Sequence, residues 1–348
     1  MIRFYKPTIR RSDMNAVLQT MVDEKIGPGE RKKAFAVEFC EQVDKRYGVM
    51  LRSFYDALRL ALDAAGLKSG DGVGMSLLAP RIYGIVCKAM GLSIMLGDID
   101  PACGCLSLDE ALRLQQEGAK AIMLDEPMGM IPYGIDYSSL EIPVIEDITE
   151  SLGSSYPNSE QPDKPDVPGK RGALVVCAFE ESDMISCGGG AALLSSVKEY
   201  KDAWTGKLEG IRSYVEMPDM NAAMGIVQSE TFPEQVSKRR GFYRTFRENL
   251  LKTRHKPFGI GAIDYDINGF GFAVFLDSKI EDVMAFATKY QVPSQKTFQS
   301  CVGKEKMDDF DHFPKGIPYM MRTLSFPVYP FISKNDMNLL VKVISHLP

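Results

Sequence analysis

The chain has 348 residues, 45% of them hydrophobic and 25% charged. That balance excludes a disordered chain or a fibrous repeat and supplies apolar material for a large core. Its 41 Lys and Arg against 46 Asp and Glu give a net charge of −5, which argues against nucleic-acid binding, since that requires a basic face.

The opening MIRFYKPTIRR has basic residues with no apolar stretch behind them, so no targeting segment is read there and a cytoplasmic protein is expected. Residues 1–35 are expected to form an arm over the surface or a partner subunit, because Gly27-Pro-Gly29 interrupts any long element. Tyr55 to Ala65 has helical apolar spacing and stops at Gly66. After a Lys-Ser-Gly-Asp-Gly turn, Val73 to Leu78 reads as a strand, and Pro80 stands where a helix to about Met90 can begin. Leu92 to Leu96 is a further strand, and Ser107-Leu-Asp-Glu110 is a capping box opening a helix to about Gln116. Lys120 to Leu124 and Pro143 to Glu146 are strands, and 154–171 is a polar surface loop. Ala173 to Phe179 is the longest apolar run, far short of the roughly 20 residues that span a bilayer, so no membrane association is expected. It fits a strand covered on both faces. Phe270 to Leu276 is a strand, and helices follow over Ile280 to Tyr290 and Lys334 to His346. Alternating strands and helices predict a mainly parallel α/β domain over 1–245, with a smaller α+β domain over 246–348.

The seven cysteines are odd in number and several lie in apolar runs, which reads as reduced thiols. Cys103-Gly-Cys105 lacks zinc spacing, and His255, His312 and His346 are scattered, so no metal site is expected. Lys238-Arg-Arg240 reads as a solvated helix face.

Ligands of open α/β sheets bind beyond the carboxyl ends of the strands. At one such end lies Val144-Ile-Glu-Asp147, followed by Ile-Thr-Glu-Ser-Leu-Gly153. This resembles the VIEDAAQALG segment of the DegT/DnrJ/EryC1/StrS sugar aminotransferases, pyridoxal-phosphate enzymes of fold type I. Phe4 to Ile9, Ile26-Gly-Pro-Gly29, Asp56 to Leu62, Gly97-Asp-Ile-Asp-Pro101, Gly188-Gly-Gly190, Ala222-Ala-Met-Gly225 and Leu324 to Pro330 are similar to family segments in the same order. The resemblance implies a mostly parallel seven-stranded sheet, a small C-terminal domain and a homodimer whose site is completed by both subunits.

The family's catalytic positions are altered. Its Schiff-base lysine matches Asp183, a carboxylate with no nucleophilic nitrogen, and no Lys occurs between Lys170 and Lys198. Its Ser-Gly-Thr phosphate turn matches Ser53-Phe54-Tyr55, where bulk replaces the small residues that let backbone N–H groups approach an anion. The serine before the lysine loop matches Ala178, the asparagine offered by a neighbouring subunit matches Tyr214, and the nearby arginine matches Glu216. The stacking aromatic matches Pro80, and a histidine matches Glu126. Glu150 also falls among the cofactor positions. Asp147 matches the carboxylate that pairs with the pyridinium nitrogen; it also reads as a strand-end acid, or as one of two carboxylates, with Asp183, that bind a cation or share a proton.

Two functional expectations follow. One is a pseudoenzyme without pyridoxal phosphate, binding a nucleotide sugar or an active aminotransferase paralogue. The other is a sugar-modifying enzyme using pyridoxal or pyridoxamine phosphate, with Asp183 as base.

Overall fold

The computed structural model describes residues 2–157, 164–259 and 265–348. It opens with helices α1 (Arg11–Val22) and α2 (Glu30–Val43), which corrects the expectation of an arm without long elements. The glycine turn breaks the chain between two helices rather than preventing them. Asp219, 190 residues away, accepts from Gly29 N at 2.8 Å, and from Lys32 N at 2.9 Å and Arg31 N at 3.1 Å. It thereby satisfies the free amides that begin α2. A Cβ on Gly29 would lie 2.7 Å from Asp219 Oδ2, so the cap requires glycine there.

There follow β1 (Tyr47–Leu51), α3 (Phe54–Ala64), β2 (Gly72–Ser76), α4 (Arg81–Met90), β3 (Ser93–Gly97), α5 (Leu108–Gln116), β4 (Ala119–Asp125), β5 (Val144–Asp147), β6 (Leu174–Ala178) and β7 (Ala191–Ser195). They form one seven-stranded sheet in the order β1-β7-β6-β5-β4-β2-β3. β7 runs antiparallel to both its neighbours, and the remaining pairs are parallel. Side chains of β6 alternate between two cores, as the pleat requires. Leu174 and Val176 pack under α3 and α4, whereas Val175 and Cys177 pack against α2. Both faces are thus covered, and the strand is apolar throughout.

Beyond the sheet come α6 (Lys198–Leu208), α7 (Arg212–Val215) and the 32-residue α8 (Asp219–Leu250). β8 (Lys256–Pro257), β9 (Phe272–Phe275), β10 (Gln295–Lys296) and β11 (Thr323–Phe326) form a four-stranded antiparallel sheet, with α9 (Ile280–Lys289), α10 (Gly316–Arg322) and α11 (Lys334–Ile344). The boundary expected at residue 245 falls inside α8. That helix serves two cores: Phe232 and Val236 pack beside α2, while Phe246 and Leu250 pack with the C-terminal sheet.

Two surface readings are corrected. Arg239 is buried, and its guanidinium donates to Val328 O at 2.7 Å and Gly269 O at 3.3 Å. Arg240 donates to Gly153 O at 2.6 Å, so of the basic run Lys238 alone lies on an exposed face. Successive helical residues point about 100° apart, and three in a row cannot all face water. In the segment 154–171, Tyr156 and the Arg171 side chain are buried, while 158–163 lie outside the described residues. Among the described residues no helix is long and apolar enough to cross a membrane. All seven cysteines are free and buried.

Candidate functional site

The parallel strands end together, and this edge holds the chemistry. Asp125 closes β4, Asp147 closes β5, and the two are register partners across the ladder. Adjacent strands lie about 4.8 Å apart, so two carboxylates stand side by side. A cavity of about 150 Å³ opens above them, lined also by Glu126 and Glu150, by Leu78 and Pro80, and by Thr297, Phe298, Ser300 and Cys301 of the C-terminal part. That segment is laced to the sheet edge: Arg81 N donates to Ser300 O at 3.0 Å and Val302 N to Ala79 O at 2.9 Å.

Asp147 accepts three hydrogen bonds. The Tyr83 hydroxyl, buried on α4, donates to its Oδ2 at 2.7 Å. Thr149 N donates to Oδ1 at 2.9 Å, and Thr149 Oγ1 donates to the same oxygen at 2.5 Å. Thr149 Oγ1 in turn accepts from Ala178 N at 2.9 Å, tying the ends of β5 and β6. Burial still raises the Asp147 carboxyl above its ordinary value, outweighing these donors. Glu150 accepts from Met128 N at 2.6 Å, and burial pushes it up to about 7. Asp125 is buried and its Oδ1 has no partner; burial raises it well above the usual carboxylate range.

Glu126 belongs to a second network. Ser151 Oγ donates to its Oε2, and Arg171 Nη1 lies 3.8 Å from Oε1. Arg171 also approaches Glu146 at 4.0 Å, while Glu146 accepts from Gly169 N at 2.7 Å, Arg171 N at 2.7 Å and Gly172 N at 2.6 Å.

The other sequence-derived positions lie off the cavity wall. Asp183 is half-buried, accepts from Glu180 N at 2.7 Å, and is pushed up to about 7 by burial and then by the nearby Asp147 charge. Ser53 caps its own helix: its hydroxyl accepts from Asp56 N at 3.1 Å and donates to Asp56 Oδ2 at 2.7 Å. Phe54 and Tyr55 open α3 and pack against its apolar cluster. Tyr214 projects into solvent from α7 at 76% exposure. Glu216 is buried in an ion pair with Lys32. Pro80, Asp147 and Glu150 therefore meet in one pocket, and Ser53, Phe54, Tyr55, Ala178, Asp183 and Tyr214 do not join them on its wall.

Tyr83, Asp125 and Thr149 escaped sequence reasoning. Tyr83 reads as one more large residue on the buried stripe of α4, and Asp125 as the polar end of an apolar strand. Thr149 lies within the segment already quoted, two residues beyond Asp147, and its hydroxyl was the available signal.

These residues do not suit a phosphorylated pyridine aldehyde. Among the described residues, four carboxylates and no Lys, Arg or His line the cavity. Both oxygens of Asp147, the acid that would face a ring nitrogen, already accept from Tyr83 and Thr149. The Ser53 hydroxyl is committed to Asp56.

The architecture is that of a pyridoxal-phosphate transferase of fold type I, and solved structures of that fold superpose on it. The Spr1654 protein of Streptococcus pneumoniae, a putative sugar aminotransferase solved in its PMP form, matches with a TM-score of 0.85 at 16% identity, covering 99% of this chain and 96% of that one. The chain belongs to the DegT/DnrJ/EryC1/StrS aminotransferase family, whose model matches residues 7–345. It is related to nucleotide-sugar aminotransferases. It is 23% identical over 270 residues to the dTDP-4-dehydro-2,3,6-trideoxy-D-glucose 4-aminotransferase of Saccharopolyspora spinosa, covering 69% of this chain and 68% of the relative. It is 20% identical to the spore coat polysaccharide biosynthesis protein SpsC of Bacillus subtilis, covering 97% and 95% respectively.

Proposed function

We propose that this chain is a pseudoenzyme of its family, one that has given up pyridoxal-phosphate chemistry and serves by binding a nucleotide sugar or an active aminotransferase paralogue. The observation that carries the reading is the Tyr83 hydroxyl on Asp147, buried under α4 at the end of a strand whose neighbours offer further carboxylates and no cation. Asp183 at the lysine position removes the covalent anchor as well. Each missing phosphate donor costs on the order of 1–3 kcal/mol, and several are missing together. Titration of the purified protein with pyridoxal phosphate, followed by absorbance and thermal shift, is expected to show no saturable uptake. Micromolar binding by the native chain overturns the reading.

A second reading has one observation in its favour. Asp183, raised to about 7, has the proton affinity of a general base at neutral pH. A dehydratase-type enzyme on the amine form of the cofactor needs such a base. Against it, Asp183 is turned onto Glu180 N and lies off the cavity wall.

The assembly proposed is a homodimer in the cytoplasm. Met14, Leu18, Met21 and Val22 follow helical spacing along α1 and are 51%, 57%, 53% and 75% exposed. Ile9, Ile26, Ile211 and Tyr214 are exposed as well. A contiguous apolar stripe of this kind calls for a partner surface. The buried free thiols accord with a reducing compartment. Light scattering at micromolar concentration is expected to give twice the chain mass; the mass of one chain sinks the dimer.

A further inference from the structure

We propose that the cavity at the carboxyl edge of the sheet binds a compact organic ammonium ion, held by Asp125 beside Asp147 and Glu150. This rests on the reading above that pyridoxal phosphate does not occupy the pocket. The first ground is charge. Asp125, Glu126, Asp147 and Glu150 line the cavity with no basic residue among the described residues. Three of them have protein partners: Asp147 has Tyr83 and Thr149, Glu126 has Ser151 and the Arg171 guanidinium, and Glu150 has Met128 N. Asp125 is 3% exposed, and its Oδ1 is buried with no hydrogen-bond partner. Glu126 Oε1 has none either, but the Arg171 guanidinium lies 3.8 Å from it. A buried carboxylate oxygen without a donor is costly, and such a group is normally satisfied by something the site receives.

The second ground is what the pocket refuses. An anion would meet carboxyl groups and, among the described residues, no basic side chain. Among the described residues no three His, Cys, Asp or Glu converge to hold one metal ion, so the acids do not form a chelate. A primary ammonium needs no chelate, since its three N–H donors can each find a separate acceptor. The third ground is size and lining. A cavity of about 150 Å³ is the size that accommodates benzene, so the occupant has a small carbon skeleton. Leu78, Pro80, Met128 and Phe298 give that skeleton apolar walls. Burial raises the proton affinity of Asp125, Asp147 and Glu150. An incoming cation would favour their charged forms and gain from ionising them.

The test uses the full chain and two probes of one shape, cyclopentylammonium chloride and the neutral cyclopentanol, by titration calorimetry. Cyclopentylammonium is expected to bind saturably and the alcohol about tenfold more weakly or less, since the charged contact is what differs. Asp125→Asn is expected to weaken the ammonium about tenfold and leave the alcohol unchanged. The proposal is overturned by no saturable binding of the ammonium, by equal binding of both probes, or by a folded Asp125→Asn protein that binds it as the native chain does. If that variant does not fold, the comparison of the two probes on the native chain decides alone. A parallel titration with pyridoxal phosphate separates the two readings. Uptake of the phosphate overturns the pseudoenzyme, whereas absence of both phosphate and ammonium binding overturns the present proposal alone.

Discussion

Asp183→Lys is expected to leave the protein unable to hold pyridoxal phosphate, although it restores the amine on which family chemistry depends. A lysine there would meet an unchanged set of neighbours. Asp147 would still accept from the Tyr83 hydroxyl at 2.7 Å, so a ring nitrogen would have to share an oxygen that already has a donor. The start of α3 would still present Phe54 and Tyr55, with Ser53 spent on capping Asp56. Glu216, at the family's arginine position, would still be an acid paired with Lys32. A reversible imine needs non-covalent binding to concentrate the aldehyde beside the amine, and each absent phosphate donor costs on the order of 1–3 kcal/mol. The check is absorbance after adding the cofactor, followed by borohydride reduction and mass spectrometry of the chain. A stable, stoichiometric adduct at position 183 would mean that the phosphate cup works despite its side chains. A lysine that reacts only as surface lysines do is the expected outcome.

What the sequence disclosed and what it hid divide along physical lines. Helices with a strong apolar stripe and a cap were legible, as at α3, where Ser53 caps and Ala65 follows the last turn. So were the central strands, whose runs are apolar because both faces are buried. β1 and β7 were not singled out. Tyr47-Gly-Val-Met-Leu51 is short and carries a glycine, and Ala191-Ala-Leu-Leu-Ser195 is poor in the branched residues that mark strands. α1 and α2 were missed because the cap that starts α2 comes from Asp219, far along the chain. Within the site, Asp147 and Glu150 were legible through their segment. Asp125 was not, because only strand register sets it opposite Asp147. Tyr83 was hidden by its own apolar body: its hydroxyl gains meaning only when α4 is laid over the end of β5.

Stability is expected to fall as pH rises from about 5.5 to about 7.5, the reverse of a protein held by ionised carboxylates. The sign follows from Glu150, raised from 4.5 to about 7, and Asp183, raised from 3.8 to about 7, in both cases by burial first. Between those values the folded state keeps protons that the unfolded chain has released. Unfolding therefore releases protons in this window, and higher pH favours it. The contribution is whole below the unfolded values and is lost as pH climbs through about 7. Each such group adds a slope of up to about 1.4 kcal/mol per pH unit, less for Asp183, which is only partly buried and so screened in part by solvent. Asp125 and Asp147, also raised by burial, act in the same direction. Glu110, lowered by its Arg113 partner against burial, acts oppositely, but only at more acid pH, where its own stabilisation is lost. His255, lowered from 6.5 by burial, also acts oppositely and within the window, one group against the several raised acids. Urea midpoints across the window measure the slope. Glu150→Gln keeps an oxygen for Met128 N while removing the titration, so it is expected to flatten the slope without lowering stability at the alkaline end. A native midpoint that rises with pH, or a slope unchanged in Glu150→Gln, would show that the acids at the sheet edge ionise as freely as they do in water.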